Sequence, residues 1–341
     1  MLKFYYFADI KRTLYDAEYQ SLLLDMYEAN IRYLWMFWYN SGTWYATEAE
    51  ARQAKEYLEK MGFQVGGCAC LVGHPGESLD PGGAEEKNYL PKAWQYRIGR
   101  DGRPVKHCGC INEAMMADAV LCMEAFARIG IREVFFDDDL RVENFSHETG
   151  GCFCDDCLAE FARRGYAMSR EALVSRLDRD MEITHAWQRL GCDRVFEFVR
   201  RLHEAGERLG IRIGIMLMPM GDERHGLDAA RLTAAFPDMY VRVGEFHYDD
   251  ASFESDEGHR EQISWIRKHL GLLANPANAF SETTAYPADA LSADNLIEKI
   301  KLEIGQGLRN IYLMSGLQTY PRYYFQRLRE VMPELQKLAG E

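Results

Sequence analysis

Short apolar runs alternate along this chain with stretches whose apolar residues recur at helical spacing. The runs are continuously apolar, which is typical of strands buried on both faces of a parallel sheet. They predict eight strands, at residues 2–9, 31–38, 63–72, 131–139, 211–218, 240–248, 279–283 and 310–315. The intervening stretches predict helices, of which Leu296, Ile297, Ile300 and Ile304 mark one apolar face.

Capping residues mark several helix ends. Thr47 and Glu50 have the spacing of a capping box, and Gly62 follows the helix that they predict. Asn112 is placed to cap a later helix that ends at Gly130. Helical segments from residue 158 onward end at Gly210. The boundaries therefore agree with the alternation of strands and helices.

Alternating strands and helices require right-handed crossovers and a parallel sheet, and eight such units close into a barrel. We therefore predict the α/β class and a single-domain (β/α)8 TIM barrel over residues 1–341. The competing fold is a doubly wound open sheet. The first strand-to-helix junction, Asp9-Ile10-Lys11-Arg12, lacks the glycines of a dinucleotide-binding turn, which favours the barrel.

One long segment, residues 73–106, follows the third strand and is rich in glycine and proline. Loops of this length are usually functional, and in a barrel this one would lie on the catalytic face. It carries Tyr89, Trp94 and Tyr96. We expect a lid-like insertion whose Trp94 contacts substrate; a disordered insertion is the alternative.

Composition narrows the class of protein. The chain has 341 residues, of which 47% are hydrophobic and 27% charged, as in globular proteins. It has no apolar run of about 18 residues and no signal-peptide pattern, so we expect a cytoplasmic protein without a membrane span. The net charge of −13 disfavours nucleic acid and anionic membranes as partners. A neutral small molecule is the expected partner, and homo-oligomerisation stays open.

The fourth predicted strand ends in the acidic run Asp137-Asp138-Asp139, followed by Leu140 and Arg141. Active sites of (β/α)8 barrels are built at the carboxyl ends of the strands, so these aspartates are candidate catalytic groups. Their mutual repulsion is a reason to expect a raised pKa in one of them. The alternative is a solvated acidic turn.

Acidic and aromatic side chains stand at other strand ends too. Glu282 closes the seventh strand and is the second catalytic candidate. Carboxylates supply acid/base and nucleophilic groups while aromatic faces pack on sugar rings, so the combination favours a carbohydrate site. For the two strand-end tryptophans the alternative is core packing, and for Glu245 an ion pair. Residues expected to contact the substrate are Asp9, Trp35, Trp38, Tyr39, Trp94, Arg141, Glu245, His247 and Tyr248.

Nine cysteines in a chain without an export signal indicate metal binding or free thiols rather than disulfides. The loop at residues 150–157 contains Cys152, Cys154 and Cys157, and either Cys108 or Cys110 can supply a fourth ligand. Four thiolates around a tetrahedral zinc leave no open position, so such a zinc would be structural. Iron–sulfur ligation and free thiols are the alternatives.

Residues 108–161 and 280–284 resemble clan A glycoside hydrolases, in particular the family 42 β-galactosidases and their bacterial relatives. The shared pattern is an acidic run at the end of the fourth strand and then Gly-Cys-x-Cys-x-x-Cys-Leu, here residues 151–158. The resemblance implies a zinc site in which Cys108 completes the ligand set. The chain stops after the eighth predicted helix, so we expect that family's further domains, including its trimerisation domain, to be absent.

The resemblance further implies that Asp139 is the general acid/base, that Asp138 takes the position of an asparagine and that Glu282 is the nucleophile. The family's Asn-Glu pair is Asp-Asp here, and Asp is one methylene shorter than Glu. Which of Asp137, Asp138 and Asp139 acts therefore stays open.

The sequence thus predicts a glycosidase that cleaves a small neutral glycoside with two carboxylates. Their separation would be about 5–5.5 Å in a retaining enzyme and about 6.5–9.5 Å in an inverting one. One alternative is a metal-dependent sugar isomerase, epimerase or lyase, in which Asp138, Glu245, His247 and Glu282 bind a divalent ion. The other is a barrel that binds sugar without turnover.

Overall fold

The computed structural model describes residues 1–72, 93–136, 140, 142, 149–218, 223–316 and 318–341. Eight parallel strands in this part close into a barrel, because each strand pairs with the next and the last pairs with the first. The predicted (β/α)8 barrel is therefore confirmed. The strands are β1 (Lys3–Asp9), β2 (Ile31–Asn40), β3 (Gln64–Cys70), β4 (Glu133–Phe136), β5 (Arg212–Met216), β6 (Tyr240–Arg242), β7 (Ala279–Phe280) and β8 (Asn310–Met314).

Helices lie between successive strands and after the last one. Two short strands extend the sheet: Thr43–Trp44 pairs antiparallel with β2, and Thr283–Thr284 pairs with β8. The helices are α1 (Ile10–Tyr15), α2 (Ala17–Glu28), α3 (Glu48–Lys60), α4 (Glu113–Arg128), α5 (Asp155–Arg163), α6 (Arg170–Arg176), α7 (Met181–Leu209), α8 (Ala229–Ala235), α9 (Asp250–Phe253), α10 (Asp256–Leu272), α11 (Ala293–Gly305) and α12 (Arg322–Leu338).

The predicted helix caps are present. The backbone N–H of Glu50 donates to Oγ1 of Thr47 at 3.2 Å, and the Thr47 N–H donates to Oε2 of Glu50 at 2.8 Å, so α3 begins with a complete capping box. Asn112 accepts a hydrogen bond from the N–H of Met115 at 3.1 Å and caps α4. Gly210 ends α7 in the left-handed region, at φ 65°.

Aromatic side chains fill the barrel interior. Trp35 is 1% exposed and packs there against Phe135 and Phe280. A Cβ on Gly66 would lie 2.2 Å from the Trp35 ring, so this close approach requires glycine on β3. Trp35 is therefore a core residue, which corrects the expectation that its ring contacts substrate. The interior cluster is Tyr5, Phe7, Trp35, Phe37, Cys68, Cys70, Phe135, Met216, Phe280 and Tyr312.

Trp38 and Tyr39 also belong to the core. Both belong to the cluster that packs between barrel and helices, because successive β2 side chains point to opposite faces and the pairing with β3 shifts register between Phe37 and Tyr39. Trp38 donates its Nε1–H to the Ala46 carbonyl at 2.8 Å and packs edge-on against Phe126. The expected role of Trp38 and Tyr39 at the barrel mouth is corrected in the same way.

The described part of the long segment after β3 forms an antiparallel hairpin. Strand Tyr96–Ile98 pairs with strand Pro104–Gly109. Trp94 is 6% exposed and donates its Nε1–H to Oδ2 of Asp118 on α4 at 2.5 Å. Trp94 is therefore a packing residue, and the expected substrate contact is corrected. The rest of the expected lid, residues 73–92 with Tyr89, lies outside the described residues.

Strands β6 and β7 are shorter than their apolar patterns predict. The apolar pattern continues to Tyr248 and Thr283, whereas β6 ends at Arg242 and β7 at Phe280. Beyond these points the N–H groups of Glu245 and Glu282 donate to side chains instead of to a neighbouring strand. Within the part of the chain that the structure describes, no helix is both long and apolar enough to cross a membrane.

Candidate functional site

Glu282 stands just beyond the end of β7, where a barrel builds its active site. Its side chain is 4% exposed. Oε1 accepts a hydrogen bond from Nη2 of Arg242 at 3.0 Å, and Oε2 accepts one from the backbone N–H of Glu245 at 2.6 Å. Both carboxylate oxygens are thus held by donors that favour the ionised form.

Arg242 ends β6 and is itself 2% exposed. Its guanidinium lies among thioether and aromatic groups: Nη2 is 3.1 Å from Sδ of Met216, and Nη1 contacts Sδ of Met314. The guanidinium carbon lies 6.0 Å from the centre of the Tyr312 ring. A buried cation in apolar surroundings needs a counter-ion, and Glu282 supplies one.

The environment of Glu282 has opposing effects on its pKa. Burial raises the pKa of Glu282 from 4.5 to about 7, although the Arg242 charge, the Glu245 N–H and the Lys299 charge each lower it. The negative charge of Glu245 raises it further. Glu282 therefore changes its charge near neutral pH, as expected of a functional carboxyl group.

Glu245 lies behind Glu282 and does not face the barrel interior. Its carboxylate is completely buried and accepts a hydrogen bond at 2.9 Å from Nε2 of Gln262, on α10. Its other oxygen accepts the backbone N–H of Glu282 at 3.1 Å. Burial raises the pKa of Glu245 above its usual value. The expectation that Glu245 contacts sugar is therefore corrected.

Two further charged residues, Lys299 and Glu303, lie beside Glu245 on α11 and are fully buried. Lys299 donates to the Phe246 carbonyl at 2.9 Å, and Oε2 of Glu303 accepts from Oγ1 of Thr283 at 2.7 Å. Neither residue was predicted from the sequence. Their signal was present, because they stand four residues apart on the face that also carries Ile300 and Ile304.

Three more residues of these sites were not first choices from the sequence. Arg242 and Gln262 had no predicted role, and Cys110 was only the alternative to Cys108. Arg242 stood out as a charge between Val241 and Val243 in an apolar strand pattern. Gln262 is completely buried, but no feature of the sequence distinguished it from the exposed polar residues of α10.

The remaining candidates around the barrel mouth have mainly structural contacts. Asp9 caps α1, because its Oδ1 accepts the N–H of Arg12 at 2.8 Å. His247 has φ 66° and lies 3.3 Å from a carboxylate oxygen of Glu261, and burial lowers its pKa. Tyr248 donates its hydroxyl to the Glu245 carbonyl at 2.8 Å.

The acidic run lies outside the described residues. Strand β4 is described up to Phe136, which pairs with Ala69 and Ile215. The next residues in the sequence include Asp137, Asp138, Asp139 and Arg141, and their predicted roles stay predictions.

A second cluster contains four buried cysteines, Cys110, Cys152, Cys154 and Cys157, whose sulfur atoms all lie within 4.8 Å of one another. The Sγ of Cys110 is 3.7 Å from that of Cys157 and 4.0 Å from that of Cys154. Zinc–sulfur bonds of about 2.3 Å in a tetrahedron separate neighbouring sulfurs by about 3.8 Å. The group therefore fits a metal ion such as zinc.

The fourth member of this group is Cys110, one of the two cysteines that the sequence left open, and not Cys108, which the resemblance implied. Cys108 lies inside the second hairpin strand, whereas Cys110 follows its end and donates its N–H to the Gln95 carbonyl. The cysteine loop meets the hairpin there, because the Phe153 N–H donates to the Ile98 carbonyl at 2.9 Å. The Ile98 N–H lies 3.4 Å from Sγ of Cys152.

A guanidinium group and a helix N-terminus lie beside the four cysteines. Nη1 of Arg194 lies 3.9 Å from Sγ of Cys110, and Cys154 is the first residue before α5, where the helix dipole favours negative charge. Hydrogen bonding, chiefly with Cys110, lowers the pKa of Cys154 to about 7 and that of Cys152 below its usual value, whereas hydrogen bonding within the group raises the pKa of Cys110 and that of Cys157. All nine cysteines are unbridged.

Comparison with known proteins yields fold-level similarity. No family model matches the chain, and no curated protein matches it by sequence. Among solved structures it resembles the glycoside hydrolase domain of PgaB (BpsB) from Bordetella bronchiseptica, with a TM-score of 0.59 and 12% identity over 99% of this chain and 98% of that one.

Two β-galactosidases are also similar. The enzyme from the psychrophile Marinomonas ef1 has a TM-score of 0.66 at 10% identity, and the cold-adapted enzyme from Rahnella sp. R3 has 0.62 at 12%. Each similarity covers 99% of this chain but only 60% and 56% of the respective β-galactosidase. At such identities the shared feature is the barrel fold found in these glycoside hydrolases.

Proposed function

We propose that this protein is a glycoside hydrolase that cleaves a small neutral glycoside, with Glu282 as nucleophile and one of Asp137, Asp138 and Asp139 as general acid/base. The observation that carries the proposal is the buried Glu282 carboxylate beyond β7, paired with Arg242 and with the Glu245 N–H. The fold shared with glycoside hydrolases and the acidic run after β4 support it.

In the proposed reaction one Glu282 oxygen attacks the anomeric carbon while an aspartic acid of the run protonates the departing oxygen. The sugar is then bonded to Glu282, and the aspartate takes a proton from the water that releases it. Arg242 and the Glu245 N–H orient the carboxylate for attack and stabilise its negative charge when it departs. The products are the sugar, with its anomeric configuration retained, and the aglycone.

The metal-dependent sugar isomerase, epimerase or lyase receives less support. Among the described residues, the only group suited to hold a metal is the cysteine cluster. Glu245, one of the ligands that this alternative needs, already accepts hydrogen bonds from Gln262 and from the Glu282 N–H. Conversion of a free sugar that depends on added Mn²⁺ would favour this alternative, and binding of a glycoside without turnover would favour a non-catalytic barrel.

The test is a panel of 4-nitrophenyl α- and β-glycosides, followed by a 2-deoxy-2-fluoro glycoside of the accepted sugar. We expect wild-type protein to release nitrophenol and to become covalently labelled on Glu282. Glu282→Gln should lower kcat by several orders of magnitude and abolish labelling, because an amide is a poor nucleophile. Glu56→Gln, at an exposed position, is the matched control. Labelling at another residue would refute the role of Glu282.

We also propose that Cys110, Cys152, Cys154 and Cys157 hold one structural zinc ion. The sulfur separations fit a tetrahedral ion, and four thiolates leave no position for substrate. The ion would connect the hairpin after β3 to the loop after β4, two neighbouring segments at the carboxyl end of the barrel. Its role is then to hold these segments together, while the reaction uses carboxylates.

A further inference from the structure

The carboxylates of Glu245 and Glu282 hold each other's backbone. The Glu245 N–H donates to Oε2 of Glu282 at 2.6 Å, and the Glu282 N–H donates to Oε1 of Glu245 at 3.1 Å. Neither backbone N–H donates to a neighbouring strand, and each donates to the carboxylate of the other residue instead. These two reciprocal hydrogen bonds join the segments that follow β6 and β7. Glu282 lies on the side of the barrel interior, and Glu245 lies on the side of the helices.

The charged and titratable groups around Glu245 and Glu282 come from several elements. Arg242 acts from β6, Lys299 and Glu303 from α11, and Tyr312 lies across the interior on β8. His247 and Glu261 pair at the edge of the site. His269 of α10 accepts the Gly244 N–H, and burial lowers its pKa to about 4, so it is neutral at pH 7.

The charges of these buried groups sum to zero if the Glu303 carboxyl group is protonated. Two buried cations, Arg242 and Lys299, balance two carboxylates, and a third buried carboxylate would be uncompensated. Among the described residues, no N–H or hydroxyl group donates to Oε1 of Glu303. The Glu303 carboxyl instead hydrogen-bonds to Glu245, and burial raises the pKa of Glu303 well above its usual value. A protonated Glu303 can donate to Glu245 and leaves Glu245 and Glu282 as the two carboxylates that balance the two cations.

We propose that Glu245 is a positioning residue for Glu282, orienting its carboxylate through the reciprocal hydrogen bonds and acting on it with its own negative charge from behind the strand. Glu303 holds Glu245 in place as a neutral donor. The proposal deepens the function proposed above and rests on it for its kinetic consequences. It differs from a merely structural role, because a group that only packs β6 against β7 has no effect through its charge.

Glu245→Gln separates the two roles, because glutamine keeps an oxygen to accept the Glu282 N–H and loses the charge. The Glu245 charge raises the pKa of Glu282, so its removal lowers that pKa. We expect the acidic limb of the pH profile of kcat/KM to move to lower pH by roughly one unit. We also expect kcat to fall about 10- to 100-fold through misplacement of the nucleophile, with a smaller change in KM.

Glu303→Gln is the matched control, since it replaces one neutral donor by another. Its amide can still donate to Glu245 and accept from Thr283, so we expect no shift of the acidic limb. Glu245→Asp keeps the charge but shortens the side chain, and should lower kcat without moving the limb. An acidic limb that is the same in wild type and Glu245→Gln, or that moves equally in Glu303→Gln, would overturn the proposal.

A second readout separates this proposal from the function on which it rests. In full-length protein labelled with ¹³C at glutamate Cδ, the Glu282 signal is assigned by its absence in Glu282→Gln and titrated directly. A lower Glu282 pKa in Glu245→Gln supports the charge coupling even if wild type turns over no glycoside, an outcome that would refute only the hydrolase assignment. If Glu245→Gln does not fold, the wild-type titration decides: Glu282 and Glu245 signals that respond to each other support the proposal, and independent single transitions overturn it.

Discussion

Glu282 combines complete burial with a cationic neighbour and a like-charged neighbour. Burial alone would keep this carboxyl group neutral, whereas Arg242 and the Glu245 N–H recover part of the ionised form. With the resulting pKa of about 7, the Glu282 carboxyl group is ionised from neutral pH upward. A residue held in this way is expected to lower the stability of the folded protein at the pH where it is ionised.

The first prediction is a pH-dependent stability difference between wild type and Glu282→Gln. The folded-state pKa of about 7 lies above the ordinary value of 4.5, so the contribution of Glu282 is fully present below pH 4.5 and is lost as the pH rises through 7. Between pH 5 and pH 8, wild type should therefore lose up to about 3 kcal/mol of unfolding free energy relative to Glu282→Gln.

Urea unfolding of both proteins at the two pH values measures this difference. Glu56→Gln, an exposed position, serves as control and should follow wild type at both pH values. Parallel pH dependence of wild type and Glu282→Gln would contradict the raised pKa of Glu282.

At the scale of elements, the hairpin after β3 is tied to α4 through Trp94. The buried indole packs near Gly109, where a Cβ would lie 3.2 Å from the ring, and its Nε1–H donates to Asp118. These contacts place Trp94 in the core that joins the hairpin to the barrel. Removal of the Trp94 side chain should therefore lower the stability of the fold more than it changes substrate binding.

We predict that Trp94→Ala lowers the free energy of unfolding by about 3–5 kcal/mol, the usual loss for a buried tryptophan. At a temperature where the variant is folded, KM for the accepted glycoside should stay within about twofold of wild type. Chemical unfolding and steady-state kinetics test both parts. Trp44→Ala, at a position that is 41% exposed, should cost much less stability. Unchanged stability with a raised KM would restore the lid interpretation.

At the scale of the whole molecule, the barrel and the cysteine centre have separate cores. Phe153, Phe161 and Trp187 pack around the cysteines with Leu173 and Leu177, apart from the main cluster between strands and helices. A metal ion held by the four cysteines would therefore stabilise the hairpin and the cysteine loop, while the barrel folds on its own apolar core. A structural zinc can be worth roughly 10–16 kcal/mol in small zinc-finger peptides, but a barrel depends on it far less.

We predict about one zinc ion per chain by elemental analysis. Cys110→Ser should lose the ion, lower the melting temperature and lower activity, while far-ultraviolet circular dichroism shows that most of the barrel remains folded. Cys108→Ser is the matched control and should keep the full zinc content, because Cys108 lies outside the four-sulfur group. Zinc lost from Cys108→Ser but kept in Cys110→Ser would reverse the assignment.

From the sequence alone we could predict the barrel, the helix caps, the three loop cysteines and the position of Glu282 at a strand end. These features depend on local periodicity and spacing, which residues close in the chain establish together. Eight alternating units then leave few topologies other than a closed parallel barrel. The positions of Trp35, Trp38 and Trp94 also singled them out in the sequence. Their roles in core packing were not predicted.

The directions and contacts of these side chains became apparent only in the folded structure. Trp35 and Trp38 lie on opposite faces of β2, and the identity of the fourth cysteine depends on where the hairpin meets the cysteine loop. Glu245 contacts residues of α10 and α11 that lie 17 or more positions away in the chain. Such contacts depend on how packed elements align in space, and local sequence patterns do not encode that alignment.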